Sequence, residues 1–191
     1  MILVVFSFLM GAYVSFYLNT INKNIISNSL LYFGIQEYED GNIRESMKYL
    51  FSSIYFNPEA TLSHNILAKI FYAKGLYDLA DSEFKEFIKN PPKDKLFGIQ
   101  EGLDIEIPMA YCYLAEISKI QNNIKSFYKY YEIVLSEYPK FFNFLKVSVE
   151  MVNSKEIRNK KDIERIETYS TFLYSANLVS GANKEIDSGL E

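Results

Sequence analysis

The chain has 191 residues, 20 Lys and Arg against 24 Asp and Glu, and a formal net charge of −4. An acidic balance argues against a dedicated nucleic-acid binder, which needs a basic face to displace counterions. Apolar content is high, with 16 Tyr and 15 Phe, and only five Pro and eight Gly, so the composition suits a packed core rather than a disordered chain. Cys112 is the only cysteine, which excludes an intrachain disulfide and leaves the redox compartment unindicated.

The first 22 residues, MILVVFSFLMGAYVSFYLNTIN, carry no charged side chain; the first is Lys23. Their apolar run is at the lower limit for a bilayer-spanning helix, with Tyr13, Phe16 and Tyr17 placed for an interfacial belt. Residues 1–22 are therefore read as an N-terminal membrane anchor. A cleaved signal peptide is one alternative, weakened by the lack of a basic start and of a small-residue cut site. A buried soluble helix is the other. No cysteine closes the run, which excludes lipoprotein processing. The orientation expected is N-terminus in, with the rest of the chain outside the cytoplasmic membrane, in a periplasmic or other extracytoplasmic space.

A repeat follows. GNIRESMKYLFSSIYFNP starts at Gly41 and GLYDLADSEFKEFIKNPP at Gly75; the two glycines are 34 residues apart, as are Pro58 and Pro92. A frame over 27–60 places Leu30, Phe33, Gly34 and Tyr38 on a first helix. It places Gly41 in a turn, Ile43, Ser46, Leu50, Ser53 and Phe56 on a second helix, and Pro58 at its close. A frame over 61–92 places Leu67, Ala68, Phe71, Gly75, Tyr77, Ala80, Phe84, Phe87 and Pro92 equivalently. A third, over 108–139, offers Leu114, Ala115, Asn122, Ile124, Tyr131, Val134 and Pro139. Small residues on both helices (Gly34 and Ser46, Ala68 and Ala80) permit a close crossing, and large apolar residues fill the gaps. Gly41, Gly75 and Asn122 stand where a helix ends with positive φ.

With these residues and this interval the chain resembles the tetratricopeptide repeat family of helix-turn-helix units. The resemblance implies an all-α solenoid of about three repeats over 27–153, with capping helices, behind a transmembrane helix. Two departures stand out. Phe127 takes a position where a small residue is usual, which implies more open packing there. Gly75 and Asn122 are 47 residues apart, so an insert, 93–107, precedes the third unit. It reads as a long loop or as an extension of the third unit's first helix. After Pro139 the pattern is degenerate: 140–153 could form a fourth first-helix. Residues 155–167 hold nine charges in thirteen positions, a solvated face, and Ile163, Ile166, Tyr169, Leu173 and Ala176 mark the stripe of a capping helix over 155–179. The tail, 180–191, is expected to be flexible.

Catalytic chemistry is hard to assemble. One His and one Cys exclude a Cys/His metal cluster, and no glycine-rich phosphate loop is present. His64 is read as structural, and Cys112, between Tyr111 and Tyr113 without a basic neighbour, as a small buried or groove-facing residue. Glu37, Glu39 and Asp40 cluster near the first turn, where they could chelate a cation but are read as a solvated turn. Arg158 to Lys161 is a basic stretch for anionic lipid, weakened by interleaved acids. No enzyme activity, cofactor, metal, small-molecule substrate or nucleic acid is expected; the partners expected are other proteins, and the membrane through the anchor.

The resemblance also implies a concave groove lined by first helices. Its positions are Asn28, Leu31, Ile35 and Tyr38; then Leu62, Asn65, Lys69 and Tyr72; then Met109, Cys112, Glu116 and Lys119. Leu31 and Ile35 stand where some relatives clamp a carboxylate, and Met109 with Tyr113 replaces the last clamp positions, so that mode is not expected. The lining suits an apolar or aromatic peptide or helix, with Lys69 and Lys119 as polar contacts. The alternative packs these residues inside the solenoid or against the anchor. Two functions follow: a scaffold subunit of a cell-envelope complex, such as a flagellar-motor collar or secretion-type machine, or a reversible adaptor or chaperone holding a peptide in its groove.

Overall fold

The computed structural model describes residues 2–91, 100–154 and 159–188, with side chains described over 18–91, 105–154 and 159–181. Among these residues there are eight α-helices and no strand. They are α1 (Ile2–Glu39), α2 (Ile43–Phe56), α3 (Thr61–Ala73), α4 (Tyr77–Lys89), α5 (Gln100–Ile120), α6 (Ile124–Glu137), α7 (Pro139–Asn153) and α8 (Lys160–Ser188). The chain divides into two compact units, Met1–Pro92 and Lys93–Glu191.

The helix ends follow from local backbone chemistry. Gly41 (φ 83°), Gly75 (φ 72°) and Asn122 (φ 58°) are the described residues with positive φ, and each ends a helix. At each, the same pair of hydrogen bonds closes the turn. Gly41 N donates to Tyr38 O and Asn42 N to Glu37 O; Gly75 N to Tyr72 O and Leu76 N to Phe71 O; Asn122 N to Lys119 O and Asn123 N to Ser118 O. This is the Schellman geometry, which satisfies carbonyls the helix leaves orphaned. Asn42, Leu76 and Asn123 then serve as N-caps of α2, α4 and α6, and Asn123 Oδ1 also accepts from Ser126 N at 3.2 Å. Such short turns fold consecutive helices back as hairpins.

In the first unit α1 pairs with α2, α3 with α4, and α2 and α1 pack on α3. Small residues set the crossing of α1 and α2. A Cβ on Gly34 would lie 2.8 Å from Leu50 Cδ2, and buried Ser46 Oγ donates to Gly34 O at 2.8 Å. Ala68 and Ala80 play this part in the second hairpin; both are fully buried. Three buried serines inside the unit satisfy one another. Ser27 Oγ and Ser53 Oγ lie 3.0 Å apart, each within 2.9 Å of the other residue's carbonyl oxygen, and Ser63 Oγ donates to Ser53 Oγ at 2.9 Å. Three helices, α1, α2 and α3, are thus tied through serines. Phe33, expected to pack inward, is instead 48 % exposed, edge-on to Tyr32 and tilted against Tyr49. Gly34, one position on, has the buried place.

In the second unit α5 pairs with α6 and α7 with α8, and α6 packs on both α7 and α8. Its core holds Met109, Cys112, Ala115, Phe127, Tyr131, Val134, Phe141, Leu145, Phe172, Ala176 and Val179. Phe127 sits within that core at 5 % exposure, its ring 5.2 Å from that of Tyr131, so the large residue at a small-residue position is accommodated rather than expelled. Of the insert, residues 100–107 are the first turns of α5, which runs on through a fully buried Pro108; 93–99 lie outside the described residues. A proline forfeits one i→i−4 bond and crowds the preceding turn, yet the helix spans it. Pro139 is the first residue of α7, where its missing N–H costs nothing. The start of α8 is fixed by a reciprocal cap: Asp162 N donates to Asn159 Oδ1 at 2.9 Å and Asn159 N to Asp162 Oδ2 at 3.3 Å. Residues 155–158, including Arg158, lie outside the described residues. Ile163, expected on the buried stripe, is 47 % exposed; Phe172, Ala176 and Val179 form the inward face. Of the expected flexible tail, 180–188 continue α8, and 189–191 lie outside the described residues.

Candidate protein-binding surfaces

The twelve groove positions fall into two sets, one in each unit; in the first, Asn28 is exposed and Leu62 half-buried. In the first unit Leu31, Ile35 and Tyr38 recur at helical spacing on α1 and are half-buried. Lys69 and Tyr72, three apart on α3, are half-buried too, and the Tyr72 ring meets that of Tyr77 edge-on at 5.7 Å. Asn65, on the same helix, is only 2 % exposed and belongs to the interior.

In the second unit the expected lining is mostly core. Met109 and Glu116 are 5 % exposed and Cys112 is fully buried. Part of the cause is α8. Phe172 meets Tyr113 of α5 edge-on at 5.1 Å, and Phe172, Ala176 and Val179 share the cluster that holds Met109 and Cys112. An open groove at Met109, Cys112 and Glu116 is therefore corrected: these positions are core, closed over by α6, α7 and α8. Glu116 is retained by specific partners. Its Oε1 accepts from Tyr131 Oη at 2.8 Å, and its Oε2 lies 4.0 Å from Lys119 Nζ. Burial, then the Glu116 charge, pushes the Cys112 thiol well above its usual range. Burial likewise raises the Tyr131 phenol, reinforced by Cys112 and Glu116. Both groups are neutral in this setting, which suits packing and not nucleophilic chemistry. Lys119 alone of this set is exposed; its Nζ stands 5.5 Å from the Phe127 ring centroid. It lines an open cleft of about 470 Å³ with Ile124, Phe127, Tyr128, Asn177 and Leu178.

Other apolar surface escaped the sequence pattern. On α7, Phe144 (36 %), Val147 (53 %) and Met151 (66 %) recur at i, i+3 and i+7 and face outward, while Phe141, Leu145 and Val152 face inward. The only signal was excess: FFNFLKVSVEMVN carries more large apolar residues than one buried stripe needs. Tyr174 (62 %) and Leu178 (45 %) are exposed on α8, and Tyr32 (60 %) and Tyr55 (83 %) in the first unit.

The remaining candidates are structural in their contacts. His64 is 9 % exposed, with Glu83 and the Pro58 carbonyl as partners. Glu37 Oε2 accepts from Asn42 Nδ2 at 2.8 Å, tying the acidic turn to the following cap. Among the described residues no group of three or more His, Cys, Asp or Glu is placed to hold a metal. Nor, among them, is any helix long and apolar enough to cross a membrane. The anchor expected over 1–22 falls mainly on side chains outside the described set, on a backbone helical from Ile2. Compared with known proteins, the chain matches no family model and no curated relative.

Proposed function

We propose that the chain is a tetratricopeptide-type scaffold subunit, tethered by residues 1–22 to a membrane, that binds other proteins within a cell-envelope assembly. The observation that carries this reading is the threefold return of one turn. Gly41, Gly75 and Asn122 each have positive φ, each closes the same pair of hydrogen bonds, and the first two stand 34 residues apart. Small buried residues at the crossings support it: Gly34 against Leu50, Ser46 on the Gly34 carbonyl, and Ala68 with Ala80. Units of this kind act by presenting helix faces to partners rather than by chemistry.

A subunit with several contact faces fits better than an adaptor with one groove. Met109, Cys112 and Glu116 are withdrawn into the core, while large apolar side chains lie exposed on α1, α2, α7 and α8. Exposed apolar surface at several places marks several contacts. In the first unit Leu31, Ile35, Tyr38, Lys69 and Tyr72 remain the proposed lining.

Two measurements test the reading. The full chain should stay with the membrane through a carbonate wash, whereas a chain starting at Asn24 should be soluble and folded. Tyr72→Ala should weaken the main partner, taken in mild detergent, by about 1 kcal/mol or more at an unchanged melting temperature. A full chain released by carbonate sinks the anchor. Partner binding untouched by both Tyr72→Ala and Ile35→Ala sinks the α1–α3 surface.

A further inference from the structure

His64 is the one histidine of the chain and lies in the first turn of α3. Its Nδ1 is 2.5 Å from Glu83 Oε2 on α4, and its Nε2 is 3.2 Å from the carbonyl oxygen of Pro58, in the turn between α2 and α3. The His64 side chain is 11 % exposed and that of Glu83 21 %. A carboxylate and a carbonyl both accept hydrogen bonds. A neutral imidazole has one N–H and leaves the other acceptor facing a nitrogen lone pair; an imidazolium donates to both. The geometry calls for the charged form.

The surrounding charges agree. Among the described residues those acting on the ring are Glu83 and Glu86, both on α4; the α2–α3 turn adds the Pro58 carbonyl dipole. Burial alone pulls the imidazole down. The hydrogen bond to Glu83, then that to Pro58, then the charges of Glu83 and Glu86, outweigh it, and the pKa stands above the ordinary 6.5.

We propose that His64 is a protonation-dependent staple: as the imidazolium it ties α3 and α4 at once to each other and to the turn that leaves α2, and on losing its proton it loosens that junction. The sign follows from linkage. A base whose pKa is raised on folding stabilises the fold fully below its unfolded pKa, and the contribution disappears as pH rises through the folded value. The first unit is accordingly tighter under mildly acidic conditions than under alkaline ones. The device depends on these contacts alone and stands whether or not a partner docks on α3.

A lone histidine makes the test unambiguous. The full chain in mild detergent, with ¹⁵N-labelled histidine, is titrated while both ring nitrogens are followed by NMR. Both should read as protonated at pH values where the same chain, unfolded in urea, has already become neutral. Glu83→Gln should move the midpoint down; Asp81→Asn, on the same helix but paired with Lys85, should leave it in place. The melting-temperature advantage of wild type over His64→Gln should shrink as pH rises. A folded midpoint at or below the unfolded one overturns the proposal, and the wild-type titration alone decides this if a variant fails to fold. A pH-independent gap to His64→Gln overturns it as well.

Discussion

α3 and α5 occupy corresponding places in their hairpins, and each ends in the same Schellman turn before a partner helix. Yet Lys69 and Tyr72 of α3 are half-buried at the surface, while Met109, Cys112 and Glu116 of α5 are sealed. Matched position by position, Asn65 is buried like Cys112 and Lys119 is more exposed than Tyr72, so the contrast rests on Lys69 against Glu116 and Leu62 against Met109. The cover around α5 is shared: Tyr131 of α6 holds Glu116, Phe141 of α7 joins the cluster, and Phe172 of α8 reaches Tyr113 and completes the core around Cys112. A position on a helix therefore has a register but no intrinsic exposure; exposure is conferred by whichever helices cover it. The covered face also tolerates what an open one would not need to, a carboxylate at Glu116 held by Tyr131.

The strongest way to break this comparison is to remove the cover. Phe172, 1 % exposed, lies at the contact. Phe172→Ala should cost about 3–5 kcal/mol through the cavity it leaves. It should also make Cys112, the sole thiol, react with a thiol reagent under conditions where wild type is inert. Retained protection of Cys112 would mean that α8 is not needed to seal α5. Smaller, and confined to the first unit, is Ala80→Leu. The site is fully buried, and overpacking there should cost about 1–3 kcal/mol by denaturant unfolding, with no gain in Cys112 reactivity. The turns sharpen the comparison from the other side, because there the two units are alike. Gly75→Val places a β-branched residue at φ 72° and should cost about 1–2 kcal/mol, whereas Asn122→Gly, at φ 58°, should stay within about 0.5 kcal/mol or stabilise slightly. Smallest is Lys89→Ala. Its amine lies 3.4 Å from Glu86 Oε1 with the side chain 67 % exposed, and loss of so exposed a pair should shift stability by under about 0.5 kcal/mol. Equal melting temperatures for Ala80→Leu and Lys89→Ala would defeat the frame from which both positions were assigned.

How much was legible can be read off particular residues. The all-α class and the ends of α2, α3, α4 and α6 were visible, because glycine, asparagine and proline act on the backbone within a few residues. The cap of α8 was visible in principle as N-x-x-D at Asn159, but the charge density around it drew attention to solvation instead. Phe33 and Gly34 were both assigned inward, though a helix turning 100° per residue cannot bury both equally well; the close approach of Leu50 chose the glycine. Glu83 was not seen as the partner of His64, since the two are 19 residues apart and nothing local links them.

By itself, the sequence determined where the backbone reverses: at Gly41, Gly75 and Asn122 the permitted φ and the neighbouring amides leave few alternatives, and that decision is made within about five residues. It also determined which helix faces are small enough for a close crossing. The tertiary structure decided what covers what. Whether Cys112 lines a groove or a core, whether His64 meets water or Glu83, and whether the apolar excess of α7 turns inward depend on helices that arrive from far along the chain. Burial is a property of the pair of surfaces that meet, and a single stretch of sequence specifies only one of them.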